Sequence, residues 1–167
     1  MSATPPESAQ GELATSDLAT GQEAHFRSLE ALYRSAPINR QYRSNLKIVG
    51  PGRSVIEFDV GESSFHAAGA AHGTIYFKML DDAAFYAANS LISDRFLLTT
   101  AFNLHFTRPM RGGEAKAEGR WISGRRRVLI AEARIVDADG EECARGTGTF
   151  LRSHIALSGL PGYRADS

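Results

Sequence analysis

The stretch "AAHGTIYFKMLDDAAFYAA", residues 70–88, decides how this chain folds. Ala83, Ala84, Ala87 and Ala88 are the strongest of helix formers. Ile75, Phe77, Met79, Leu80 and Phe85 spread apolar surface over almost every side of the turn. The segment from Thr74 to about Ile92 therefore predicts one long helix, buried nearly all round. His72 and Gly73 stand just before it, and Asp81 and Asp82 interrupt its middle. A carboxylate taken from water without a partner is costly, so each acid needs a reason to be there. Asp82 has one at hand in Lys78, four residues back. Asp81 reads two ways. It is a structural acid bonded to Lys78 or to a neighbouring strand, or it is a reactive group.

Outward from this helix the pattern turns to strands. Before it, "NLKIVGPGRSVIEFDV" holds two strand-like runs divided by the Gly50-Pro51-Gly52 turn, with Ile56, Phe58 and Val60 alternating against Glu57 and Asp59. After it, "FLLTTAFNLHFTRP", "GEAKAEGRWIS", "RVLIAEARIVD" and "EECARGTGTFLRS" read as four more, with the Asp139-Gly140 turn joining the last two. Short connections predict an antiparallel meander. Its apolar face needs cover, and the long helix is the only sizeable element able to supply it. Gly146 and Gly148 allow close approach in the last strand. The fold expected is α+β, an antiparallel sheet wrapped around one central helix.

Residues 1–20 carry few large apolar side chains and read as a flexible tail. Thr20 and Glu23 have capping-box spacing, and Phe26, Leu29, Leu32 and Tyr33 recur at helical intervals, so an extra N-terminal helix is expected to follow. One domain over 21–155 and a C-terminal tail over 156–167 complete the division. Nineteen basic and nineteen acidic side chains balance, which gives no footprint for nucleic acid. The single cysteine, Cys143, offers neither a disulfide framework nor a cysteine zinc site. With no membrane-length apolar run and no leader-like N-terminus, the expected location is cytoplasmic.

Three stretches, "HAAGAAHGTIYFKMLDDA", "TTAFNLHFTRPMRGGE" and "GEECARGTGTFL", in this order, resemble the hotdog-fold acyl-CoA thioesterases, and in particular the phenylacetic-acid-degradation group. The resemblance covers roughly Asn45 to Ser153. It implies hydrolysis of a small-to-medium acyl-CoA, aryl groups included, with no metal and no cofactor beyond the coenzyme A of the substrate. The family's acid stands nine positions after the motif His, which selects Asp81 over Asp82 as nucleophile or general base. Its first glycine, here Gly73, polarises the thioester carbonyl with its N–H, and His72 shapes that site. Asp81 lies ~12 Å along the helix from Gly73, too far for both to reach one carbonyl. The resemblance resolves this with a homodimer, or a dimer of dimers, in which the two come from different chains.

Two positions depart from the family pattern. Thr74 replaces the second glycine, and His66 stands where many members place Asn to orient water or substrate. Thr99 matches a hydroxyl position near the attacking water, but simple alternation puts it on the face opposite Phe102, Leu104 and Phe106. Arg125, Arg126 and Arg127 at a hairpin tip suit the coenzyme A phosphates, with Arg108 and Arg111 as further candidates. Tyr76, Phe77 and Phe85 read as core, or as a border of the acyl pocket. Two other readings compete: an acyl-CoA-binding hotdog without turnover, and a hotdog dehydratase or hydratase using His66 and Asp81.

Overall fold

The computed structural model describes residues 7–164, with side chains from residue 19 onward. The sequence-expected alternation of strands and one long helix is what forms. Helix α1 spans Glu7–Ser35, followed by a 3-10 turn at Pro37–Gln41. Strands β1 (Ser44–Gly50) and β2 (Arg53–Val60) form the first hairpin, and β3 (Phe65–His66) pairs with β4 (Ala70–Ala71) in a short second one. Helix α2 (Gly73–Asn89) comes next, then β5 (Arg95–Phe106), β6 (Gly113–Ser123), β7 (Val128–Asp137) and β8 (Glu142–Ala156). The main sheet has six antiparallel strands in the order β1-β2-β6-β7-β8-β5.

Helix α2 lies across this sheet. Met79, Leu80, Ala83, Ala84 and Ala88 are fully enclosed in one core with Ile56, Ala117, Leu129, Ala131, Ile135 and Phe150. Each large side chain taken from water here contributes roughly 1.5–3 kcal/mol. Gly119 on β6 makes the close approach possible, because a Cβ there would stand 2.0 Å from the Ala83 carbonyl oxygen. The Ser54 hydroxyl donates to that same oxygen at 2.6 Å.

Four expectations are corrected. Helix α1 starts at Glu7, ahead of Thr20, because the helix-forming Ala, Leu and Glu residues before Thr20 extend it; residues 1–6 of the expected tail lie outside the described residues. The four later strands are not one meander: β5 flanks β8 and not β6, so it becomes a sheet edge. The segment after residue 155 docks instead of trailing. Leu157 is fully buried, Leu160 and Tyr163 pack on the core, and the Tyr163 hydroxyl donates to His25 Nδ1 at 2.6 Å. The other ring nitrogen of His25 donates to the Asn89 carbonyl at 3.0 Å, which ties α1 to the end of α2. Finally, α2 is not covered all round. Thr74 and Phe77 are exposed, and Lys78, Asp81 and Asp82 are only partly covered.

The two sheet edges differ. At β1, α1 supplies side chains to the outward backbone groups. Glu30 accepts from the Ile48 N–H at 2.7 Å, and Arg27 donates to the Ile48 carbonyl at 3.3 Å. At β5, twelve residues long, the outer edge faces no strand among the described residues.

Candidate active site

The seam between α2 and β5 gathers most of the residues singled out by sequence. Asp81 is half-buried, and the Thr99 hydroxyl donates to its Oδ1 at 2.9 Å. Burial pushes the Asp81 carboxyl up to about 6; the Thr99 hydrogen bond and the Lys78 charge pull against this, and the Asp82 charge adds to it. The bond to Thr99 corrects the strand parity. A bulge between Thr99 and Ala101 inserts an extra residue, so Thr99 shares the helix-facing side with Phe102 and Phe106. Alternation read straight through the strand misses this.

Asp82 faces away from that seam. It pairs with Lys78, whose Nζ also donates to Asn39 Oδ1 at 2.7 Å and stands 5.4 and 5.5 Å from the ring centres of Tyr33 and Tyr42. Burial raises the Asp82 carboxyl and Lys78 draws it back down. The expected Lys78 pairing holds, and the Tyr33 and Tyr42 rings and Asn39 cover most of it.

At the start of α2, His72 is the helix N-cap. Its Nδ1 accepts from the Thr74 N–H at 3.2 Å and lies 3.0 Å from the Thr74 hydroxyl. Thr74, the departure from the family pattern, therefore locks the cap. The Gly73 N–H, at the first helical position, has no partner among the described residues and sits at the positive end of the helix dipole. It opens on a cleft of about 360 Å3 lined by His66, Ala71, Gly73, Tyr76, Phe106, Thr107, Arg108 and Pro109. His66 Nδ1 accepts from the Ala68 N–H at 3.1 Å, which leaves the other ring nitrogen of the neutral imidazole to carry its proton. Tyr76 braces the cleft wall: its hydroxyl donates to the Arg108 carbonyl at 3.1 Å and accepts from the Met110 N–H at 2.7 Å.

Asp81 does not line this cleft. Arg125, Arg126 and Arg127 do not either. The Arg125 guanidinium stacks 4.9 Å from the Trp121 ring centre, and Trp121 packs near Gly52 and Leu91 beyond the C-terminal end of α2. Of the arginine candidates, Arg108 is the one that lines the cleft, with its guanidinium paired to Glu141 at 3.2 Å and Asp137 at 3.7 Å. Of the aromatic candidates, Tyr76 and Phe85 are core, but Phe77 is 43% exposed. The larger concavity, about 850 Å3, lies on the far side of the sheet, where Arg134 pairs with Glu118 at 2.8 Å and Arg120 with Glu132; Asn103 and His105 of β5 line it, but Gly73, Asp81 and Thr99 do not. Among the described residues no group of His, Cys, Asp and Glu is placed to hold a metal ion, and no helix is long and apolar enough to cross a membrane.

This architecture, one long helix laid on an antiparallel sheet, is the hotdog fold, and the model of the Thioesterase superfamily matches residues 68–144, from the turn before α2 into the start of β8. The chain thus carries the thioesterase-superfamily pattern on its central segment. Among solved structures, the E. coli PaaI protein of the phenylacetic acid degradation operon superposes with a TM-score of 0.72 at 18% identity, over 80% of this chain and 98% of that one. A Saccharolobus solfataricus protein named "Putative esterase" is 28% identical over 100 residues, 60% of this chain and 67% of that protein. A transcription factor of Shouchella clausii is 39% identical over 84 residues, 47% of this chain but only 41% of that factor's length.

Proposed function

We propose that the protein hydrolyses the thioester of a small-to-medium acyl-CoA, aryl groups included, at sites shared between two copies. The observation that carries this reading is the Asp81 carboxylate, partly withdrawn from water, lifted toward neutral pH and oriented by Thr99. A base of that kind suits proton abstraction near pH 7. The Gly73 N–H supplies the complementary part, a donor for the oxyanion that develops on the thioester carbonyl. Asp81 either removes a proton from water as the water attacks the carbonyl carbon, or attacks that carbon itself. In both cases the C–S bond breaks, and coenzyme A leaves as its thiolate and takes up a proton; on the water route the acyl group leaves directly as a carboxylate, and on the direct route water then cleaves the acyl–Asp81 anhydride to release it. No metal or organic cofactor enters this scheme. Arg108, at the cleft mouth, is the better-placed cation for a coenzyme A phosphate from the same chain.

The separation of Asp81 from the Gly73 cleft supports a dimer. Within one chain, Thr99 lies beside Asp81 at one end of the seam, and Phe106 lies beside Gly73 at the other. Antiparallel pairing of two open β5 edges, with Thr99 of each copy near the partner's Phe106, brings each Asp81 to the partner's Gly73. The free-thiol assay on a panel of acyl-CoAs tests the reading directly. Turnover is expected, and well-folded protein that releases no thiol from any of them would end it.

The similarity to a transcription factor favours a second reading, in which the same site holds an acyl-CoA without turnover. Tight binding with no thiol release is its signature.

A further inference from the structure

We propose that the ring pair Phe77–Phe102 is the end wall of the acyl pocket and sets the length of acyl chain the site accepts. This rests on the acyl-CoA reading above and assigns residues that reading leaves open.

Gly73, Phe77 and Asp81 stand at successive turns on one side of α2. Strand β5 answers them in order with Phe106, Phe102 and Thr99. The Phe106 ring tip lies 3.3 Å from where a Gly73 Cβ would be, the Phe77 and Phe102 ring centres are 5.7 Å apart at 83°, and Thr99 binds Asp81. Phe77 is 43% and Phe106 is 58% exposed. Packing within one chain does not account for large rings left open between a polarising amide and a carboxylate. The Phe102 ring is also fixed from behind. It rests on Gly146 and Gly148, where added Cβ atoms would come within 2.4 and 2.7 Å of it. Backbone fills the space behind it, so Phe102 cannot retreat into the sheet, and Phe77 meets it edge-on.

An acyl carbonyl held at the Gly73 N–H sends its chain along this seam. It meets Phe77 after about one helical turn, ~6 Å. The occupant that fits is an unbranched apolar or planar group, short enough to stop at the ring pair. The reading above already sets a second copy beside this seam; the rival is that the partner's side chains, and not an acyl chain, fill the space over Phe77.

The test uses S-alkyl-CoA thioethers of four to twelve carbons, which bind but cannot be hydrolysed. Dissociation constants are measured for the wild type, Phe77→Ala and Phe102→Leu, with oligomeric state followed by light scattering and acyl-CoA hydrolysis measured in parallel. In the wild type, affinity should stop rising after a short chain. Each further buried methylene is worth about four-fold in affinity, so Phe77→Ala should favour the decyl over the butyl thioether by at least ~10-fold more than the wild type does. Phe102→Leu should move the profile the same way by less. Equal weakening at every length, an unchanged profile, or an effect on dimerisation alone would overturn the proposal. A shifted profile with no hydrolysis of any acyl-CoA would retain the wall and remove the thioesterase reading. Hydrolysis with an unmoved profile would do the reverse.

Discussion

Asp81 and Asp82 are neighbours in sequence and meet different surroundings on one helix. The Asp82 side is finished within the chain: Lys78 pairs with it, and Asn39, Tyr33 and Tyr42 enclose the pair. The Asp81 side is left incomplete. One hydroxyl satisfies part of the carboxylate, and the rest faces a seam of exposed aromatic rings and an unpaired strand edge. Two acids of equal intrinsic acidity thus acquire different tasks from their surroundings. A satisfied charge holds the structure together, and an unsatisfied one is available for chemistry.

The sharpest way to break this contrast is to neutralise each acid in turn. Asp81→Asn should lower kcat/KM by about 10^3-fold or more, as expected for loss of a base or nucleophile. Asp82→Asn should stay within about ten-fold of the wild type. Equal losses, read by thiol release, would erase the distinction. A second test asks where the missing part of the Asp81 side comes from. Asp81→Asn chains mixed with Gly73→Val chains should regain activity, because a mixed dimer holds one intact site. Two inactive proteins that stay inactive after exchange would place each site within one chain.

Stability should move in opposite directions. A carboxyl raised by the fold costs nothing while protonated in both states, and its cost grows as pH rises above the ordinary 3.8 and levels off above about 6. Asp81→Asn should therefore stabilise the protein at pH 8, by on the order of 1–2 kcal/mol after allowing for its partial exposure to solvent. Little or no gain is expected near pH 4. Asp82→Asn should destabilise by about 1–3 kcal/mol, since it strips Lys78 of its counter-charge. Denaturant melts at the two pH values check both. The smallest effect concerns Thr99. The wild-type rate should rise with pH through about 6, and Thr99→Val, by removing a bond that favours the ionised acid, should move that limb upward. The loss should be a few-fold at pH 6 and smaller at pH 8. A limb that does not move would leave Thr99 without an electrostatic role.

Much of this arrangement is legible in the sequence because it is local. The alanine run gives α2, the count from His72 separates the two acids, and the spacing of Lys78 predicts its partner. What escapes is set by tertiary geometry. Thr99 is misplaced because one inserted residue reverses a strand's parity and leaves no compositional mark. The position of β5 beside β8 depends on which edges remain after the sheet closes over α2. Arg125, Arg126 and Arg127 look suited to phosphate, but the length of the β6–β7 hairpin carries them past the far end of α2. Tyr163 carries too little pattern around it to announce that it will meet His25, 138 residues away.

The grip of Glu30 and Arg27 on the backbone of Ile48 has a consequence for growth. Sheets with two free margins can add copies end to end without limit. Here one margin is stoppered by the N-terminal helix, so any chain that docks along β5 presents a stoppered margin on its far side. Addition along the sheet then halts at two copies. The same salt-bridged helix that anchors the first strand works as a chain terminator, turning a surface that invites fibrils into one that permits a finite pair.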